Sequence, residues 1–174
     1  AVAEAAEIIN ASERPFIYFG GGLIASAATD ELLALADKID APVGCSMMGI
    51  SGVPTNHPRF LGMEGMHGHY ACSVGMNEAD CIIACGARFN DRSTGKVSAF
   101  APHAKIVHID VDGAELCKTV HAAVALRGDL KLTLEDLLDK VERRERPAWQ
   151  EKIAELRVFE DEQATDKREG MTPR

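Results

Sequence analysis

These 174 residues contain no CxxC pair, no excess of positive charge, no apolar run long enough to cross a bilayer and no internal repeat. Five cysteines, Cys45, Cys72, Cys81, Cys85 and Cys117, are odd in number and unpaired in spacing, which argues against a disulfide framework or a zinc ribbon. Reduced, intracellular thiols are expected. The longest uncharged stretches, 15–29 and 41–58, are broken by glycine, proline and polar residues, so no membrane span is predicted. With 27 acidic against 19 basic residues the net charge is −8, and nothing drives the chain toward nucleic acid or anionic lipid. Catalytic signatures are missing too: there is no GxSxG elbow, no HExxH, and no serine or cysteine with a credible base beside it. His67 and His69 have no third ligand at metal-site spacing, so no metal site is predicted. Finally, no methionine opens the chain, and AVAEAAEIIN lacks the blocks of a signal peptide, which suggests a piece of a longer polypeptide.

What remains is an ordinary globular composition, 46% hydrophobic and 26% charged. A chain of this length buries roughly 70% of the surface it exposes when unfolded, enough for one real core. Short apolar runs at 16–20, 42–46, 81–86, 105–110 and 123–127 predict strands. Amphipathic stretches at 3–11, 29–39, 69–77, 113–119 and 130–146 predict helices, the second opening on Thr29-Asp30-Glu31. Strands apolar on both faces that alternate with helices imply a parallel sheet covered on both sides. The expected fold is α/β, a Rossmann-like doubly wound sheet of five to six strands over residues 1–146. Residues 147–174 follow as a C-terminal helix and linker, with Trp149, Ile153, Leu156 and Phe159 at helical spacing. Beyond them, 161–174 reads as a solvated, disordered tail.

The first predicted strand runs into Gly20-Gly21-Gly22-Leu23-Ile24-Ala25, which fits G-x-G-x-x-[GA]. Such a turn lets backbone N–H groups approach a pyrophosphate, although the same glycines also serve a tight turn needed only for packing. A dinucleotide fingerprint wants an acid ending the second strand, and here that strand reads PVGCSMM, which argues against a standard NAD dehydrogenase. Acids do stand at later strand ends, Asp110 with Asp112 behind it and Asp129, placed either for a ligand crevice or as helix caps. The third strand ends in a loop holding Arg88, Asp91, Arg92 and Lys96, and Arg88 is placed to fork a phosphate. The segment GMEGMHGHY is too irregular for a core element, and its methionines suit a flat ring or a neighbouring domain. Cys81 and Cys85 share one parity of a buried strand and read as packing groups.

Three segments together, GGGLIAS, LGMEGMHGHYA and GARFNDRSTGKVSAFAPHAKIVHIDVDGAE, closely resemble the middle domain of acetohydroxyacid (acetolactate) synthase, a thiamine-diphosphate enzyme family. The resemblance spans about residues 1–141. It implies that the family's outer two domains, which hold thiamine diphosphate and Mg2+, lie outside this chain, so no condensation of 2-ketoacids is expected from it alone. It also implies an FAD site here, without net redox role. Gly21 and Gly22 match its glycine turn, Ser46 and Met47 the second strand end, and Gly65, Met66 and His67 the methionine–histidine loop. Gly86, Ala87, Arg88, Phe89 and Asn90 match its arginine loop, while Asp110 with Val111 and Asp129 with Leu130 match two acidic strand ends. Met66, Asp91 and Arg92 match positions reaching the substrate channel. A homodimer or homotetramer, a regulatory subunit, and a cytoplasmic or organellar location are further implications.

Two departures stand out: Asn90 replaces the family's usual aspartate, and Glu64 its usual leucine, the latter placing a carboxylate near the flavin face where it is expected to weaken binding. Three readings stay open: an FAD-binding central domain, a structural middle domain with a vestigial nucleotide site, and a free-standing NAD-binding domain.

Overall fold

The computed structural model describes residues 1–164. The chain begins with α1 (Val2–Ala11), which leads into β1 (Pro15–Phe19), a strand buried at every residue. The short α2 (Gly21–Ala25) and then α3 (Thr29–Lys38) carry it to β2 (Val43–Cys45), and β3 (Phe60–Met63) follows a loop. Next come α4 (Tyr70–Glu78), β4 (Cys81–Cys85), the single turn α5 (Asp91–Thr94), β5 (Lys105–Asp110), β6 (Val124–Arg127), α6 (Leu130–Leu138) and α7 (Pro147–Ala164). The six strands are all parallel in the order β3-β2-β1-β4-β5-β6. This is the doubly wound α/β arrangement expected from the strand pattern. The order reverses between β1 and β4, which opens a crevice beyond their carboxyl ends.

Alternate residues of the strands feed two cores. Ile17, Phe19, Cys81, Ile83, Cys85 and Val107 join α1, α3 and α6 on one face, and Phe16, Tyr18, Ile82 and Ala84 join α4 and α7 on the other. Burial holds the thiols of Cys81 and Cys85 up at about 12, which makes them packing groups rather than nucleophiles. Edge strand β6 alternates buried and exposed residues, as expected where one side meets solvent. Among the described residues no helix is long and apolar enough to cross a membrane.

Four expectations need correction. Strand β3 has no counterpart in the predicted set, because Phe60-Leu61-Gly62-Met63 has no β-branched residue and carries a glycine at φ +92°. Residues 113–119 form turns and not a helix: Asp112 Oδ1 accepts from Ala114 N–H at 3.0 Å, and Cys117 sits at φ +59°. The predicted helix over 130–146 stops at Leu138. Beyond it the chain cross-ties α1 to α3, with Glu142 N–H on Asn10 Oδ1 (2.9 Å) and Arg144 N–H on the Lys38 carbonyl (3.0 Å), bonds that continued helix would not permit. Arg146 is only 3% exposed, and its side chain donates to the carbonyls of Ile9, Ser12 and Ile39, fixing the start of α7. Lastly, α7 runs through Ala164, into the stretch read as tail; 165–174 lies outside the described residues. Trp149, Ile153 and Leu156 are buried against the second core, whereas Phe159 is exposed and meets Tyr70 ring to ring at 4.9 Å. The Thr29 hydroxyl does not cap its helix and instead donates to the Gly52 carbonyl at 2.7 Å.

Candidate functional site

Beyond the carboxyl ends of the strands lies a cavity of about 600 Å³, bounded by residues that follow β1, β2, β3, β4 and β5. Its floor is the glycine turn. A Cβ on Gly20 would stand 2.5 Å from the Gly86 carbonyl oxygen, and one on Gly22 would stand 2.7 Å from the Gly86 Cα. These two glycines let β1 and β4 end in backbone contact. Gly20 N–H donates to the Cys85 carbonyl and Gly22 N–H to that of Gly86, each at 3.1 Å, and Leu23 N–H returns to Gly20. Among the described residues, Gly21 alone of these four keeps its N–H for the cavity, so the turn offers one donor instead of the row implied by the glycine motif. The atoms nearest to a Cβ on Gly21 belong to Met48, with its carbonyl oxygen at 3.3 Å.

The arginine loop forms one wall. Gly86, at φ +55°, turns the chain after β4, and Ala87 and Phe89 point into the core while Arg88 and Asn90 point out. From below, His108 anchors this loop: its Nε2 bonds the Ala87 carbonyl at 3.0 Å and its ring meets Phe89 edge-on at 5.3 Å. Burial lowers the His108 pKa, so it is the neutral ring that donates there. Arg88 is 70% exposed along its side chain, and among the described residues its only ion pair is a long one of 3.7 Å to Glu115, which Lys118 also holds at 3.0 Å. Its guanidinium is thus available to an anion in the cavity.

Asn90 has a different task. Its Oδ1 accepts from the N–H groups of Arg92 and Ser93 at 3.0 Å each, capping α5. Asparagine and aspartate cap about equally well, which explains why this departure from the family pattern leaves the loop intact. Asp110 Oδ1 accepts from Asp112 N–H at 2.9 Å, shaping the turn after β5, and both acids border the cavity beside exposed Val111.

At the β3 edge the wall consists of Ser46, Met47, Met48, Met63, Met66 and His67. Met47, Met48 and Met66 are 62%, 75% and 72% exposed, an apolar rim around a polar floor. Glu64 sits among them, only 7% exposed, with Oε2 buried and, among the described residues, without a hydrogen-bond partner. Burial raises its pKa to about 7, and the adjacent Ser93 hydroxyl, itself 3.1 Å from Tyr18 Oη, pulls the other way. The carboxylate charge anticipated from the sequence is therefore only partly present near neutrality.

Of the residues matched to the family's cofactor site, Gly21, Gly22, Ser46, Met47, Met66 and His67 border the cavity, as do Gly86, Arg88, Asn90, Asp110 and Val111. Gly65, Ala87, Phe89, Asp129 and Leu130 do not. Gly65 stands at φ +104°, where a Cβ would come within 2.6 Å of the Arg92 carbonyl oxygen; Asp129 caps α6 by accepting from Leu132 N–H at 3.0 Å; Leu130 is buried. Of the channel positions, Met66 and Arg92 border the same cavity and Asp91 does not, so the two arginines share one space. Gly20, Met48, Met63, Glu64, Ser93 and Asp112 complete it. Met63 and Glu64 border it from the end of β3, as the methionine-rich segment and the Glu64 departure led one to expect. No cluster of three His, Cys, Asp or Glu able to hold a metal occurs among the described residues.

The chain is 46% identical over 159 residues to a protein of Methanocaldococcus jannaschii named as a probable acetolactate synthase large subunit, covering 90% of this chain and 27% of that one. It is 41% identical over 155 residues to the acetolactate synthase isozyme 1 large subunit of Escherichia coli, covering 89% and 27%. The chain thus spans about a quarter of the length of these relatives. A solved structure from Mycobacterium smegmatis, assigned as a thiamin diphosphate-dependent enzyme, superposes with a TM-score of 0.69 at 22% identity over 83% of this chain and 28% of that one, a likeness of fold. The family described as "Thiamine pyrophosphate enzyme, central domain" matches residues 2–137, and the chain belongs to that family.

Proposed function

We propose that this chain is the FAD-binding central domain of an acetohydroxyacid synthase, the enzyme that condenses two 2-ketoacids with loss of carbon dioxide in branched-chain amino-acid biosynthesis. The cavity carries this reading. From β3 to β5 it crosses four strand spacings of about 4.8 Å, roughly 19 Å, room for an extended dinucleotide. Gly21 N–H and the Arg88 guanidinium meet the pyrophosphate in the middle, Asp110 accepts from ribose or adenine donors at one end, and the methionine rim lies against the flat ring at the other. The residues present therefore fit FAD, with one backbone donor fewer than the glycine motif suggests. FAD would supply an extended, redox-silent structural element of the assembled site. Arg92, in the same cavity, presents a cation to an anionic substrate carboxylate.

Thiamine diphosphate and its magnesium ion would be held by further domains, which also cover the exposed Met47, Met48 and Val111. The whole enzyme is a homodimer or homotetramer, with or without a regulatory subunit, in cytoplasm or organelle. A structural middle domain with a vestigial site is the second reading, favoured by the single free N–H at the glycine turn. Fluorescence titration with FAD separates the two: the first gives saturable micromolar binding, the second none. In either case the 174-residue chain forms no acetolactate from pyruvate with thiamine diphosphate, Mg2+ and FAD present, and turnover by it alone would overturn the assignment.

A further inference from the structure

Glu64 is a buried carboxyl with an unpartnered oxygen on the wall of a ligand cavity, where the core offers it no cation: among the described residues it makes no ion pair with lysine, arginine or histidine. Such a group costs stability unless something completes it. The neighbours are Tyr18 from β1, Cys45 from β2, Cys72 from α4 and Ser93 from α5, all neutral hydroxyls or thiols; His67 and Arg92 border the same cavity. The Ser93 hydroxyl is shared between the Glu64 carboxyl and Tyr18 Oη, the latter at 3.1 Å, and the thiols are weak partners. Among the described residues nothing satisfies the second oxygen, and the cavity is the direction from which a partner can come.

Resting on the FAD reading, we propose that Glu64 is a specificity-determining residue that recognises the ring end of the dinucleotide, its neutral carboxyl donating one hydrogen bond to a heteroatom acceptor on the flat ring held by the methionine rim. Three placements support this. The carboxyl follows β3, at the opposite end of the cavity from Asp110, so the phosphates and the adenosine half lie away from it. Met63 and Met66 flank it in sequence and border the same space, giving the ring an apolar face with one polar point on it. The terminal torsion of glutamate is broad, so a small rotation presents either oxygen without disturbing the backbone bond from Glu64 N–H to the Cys45 carbonyl (2.8 Å).

Only the protonated form donates, so affinity follows the neutral fraction. With titration at about 7, that fraction falls from about nine-tenths at pH 6 to about one-tenth at pH 8, a tenfold rise in apparent Kd for FAD. The test titrates the 174-residue chain with FAD and with ADP, which lacks the ring end, across pH 6 to 8, in wild type, Glu64→Gln and Glu64→Leu, with thermal melting as the fold control. FAD binding to wild type is expected to weaken about tenfold over this range while ADP binding stays level. Glu64→Gln, whose amide donates at every pH, is expected to hold FAD with a flat profile near the wild-type value at pH 6; Glu64→Leu is expected to be flat and weaker. FAD binding that is pH-independent in wild type, or a dependence surviving in Glu64→Gln and so belonging to another group such as His67, overturns the role of Glu64 and leaves the FAD reading standing. An equal dependence for ADP overturns it as well. Failure of FAD to bind any folded form at any pH overturns both.

Discussion

Around the glycine turn the cavity wall is backbone against backbone, whereas at the β3 edge it is side chains against open space. Gly20 and Gly22 touch Gly86 and Ala87 closely enough to exclude any Cβ, and their N–H groups are consumed in joining β1 to β4. Across the cavity, Met47, Met48 and Met66 are more exposed than buried, and Glu64 keeps an oxygen unpaired. The first region fixes where a ligand lies; the second is free to choose which ligand it is. A substitution in the first is felt as lost stability and one in the second as altered affinity.

The largest effect expected from this division is at Gly22. Adding one methyl there forces the Gly86 backbone aside, and Gly22→Ala should lose about 2–3 kcal/mol in chemical denaturation. Its neighbour Gly21 should show the opposite profile, with Gly21→Ala within about 0.5 kcal/mol of wild type in stability yet weaker for FAD. Equal destabilisation by both would erase the distinction between a packing glycine and a cavity glycine.

Arg88→Ala comes next. Losing a charge-assisted hydrogen bond of about 1.5–3 kcal/mol should raise the Kd for FAD ten- to a hundredfold, more than Asp110→Asn, which removes only an acceptor of neutral donors. Arg92→Ala, assayed in a full-length enzyme, should retain flavin and raise the Michaelis constant for pyruvate. Because both arginines border one cavity, flavin loss from Arg92→Ala would merge the two roles.

Glu64 gives a smaller effect with a definite sign. Its folded value is raised from 4.5 to about 7, so the stability it contributes is fully present below about pH 4.5 and is lost as pH rises through 7. Glu64→Gln should therefore match wild type near pH 5 and exceed it by about 1–3 kcal/mol at pH 8, read from denaturation midpoints at the two values. The smallest change is at Asn90. Asn90→Ala should cost about 1 kcal/mol by uncapping α5, while Asn90→Asp should stay within a few tenths.

The sheet was legible because β1, β4 and β5 are apolar on both faces, a pattern only a covered parallel sheet requires. Strand β3 was not, since its pairing with β2 depends on tertiary contacts that Phe-Leu-Gly-Met does not advertise. The sequence had set Met63 and Glu64 near a flat ring, but without β3 it could not show that the Glu64 carboxyl is buried. Arg88 and Asp110 could be placed from strand ends alone, but the division of labour among glycines could not: whether a glycine packs or opens a cavity depends on the strand beside it. Asn90 and Asp129 show the same limit. Asn90, matched to the arginine loop, caps α5, and of the two readings the sequence left open for Asp129, crevice or helix cap, the structure shows the cap.

A crystal structure of the 174-residue chain grown with FAD tests the central claim most directly. Pyrophosphate density within hydrogen-bonding distance of Gly21 N–H and the Arg88 guanidinium, adenosine toward Asp110 and the isoalloxazine ring beside Met66 and Glu64 is the expected result. Flavin density elsewhere on the chain, or FAD in this cavity with its ring toward Asp110, would contradict it.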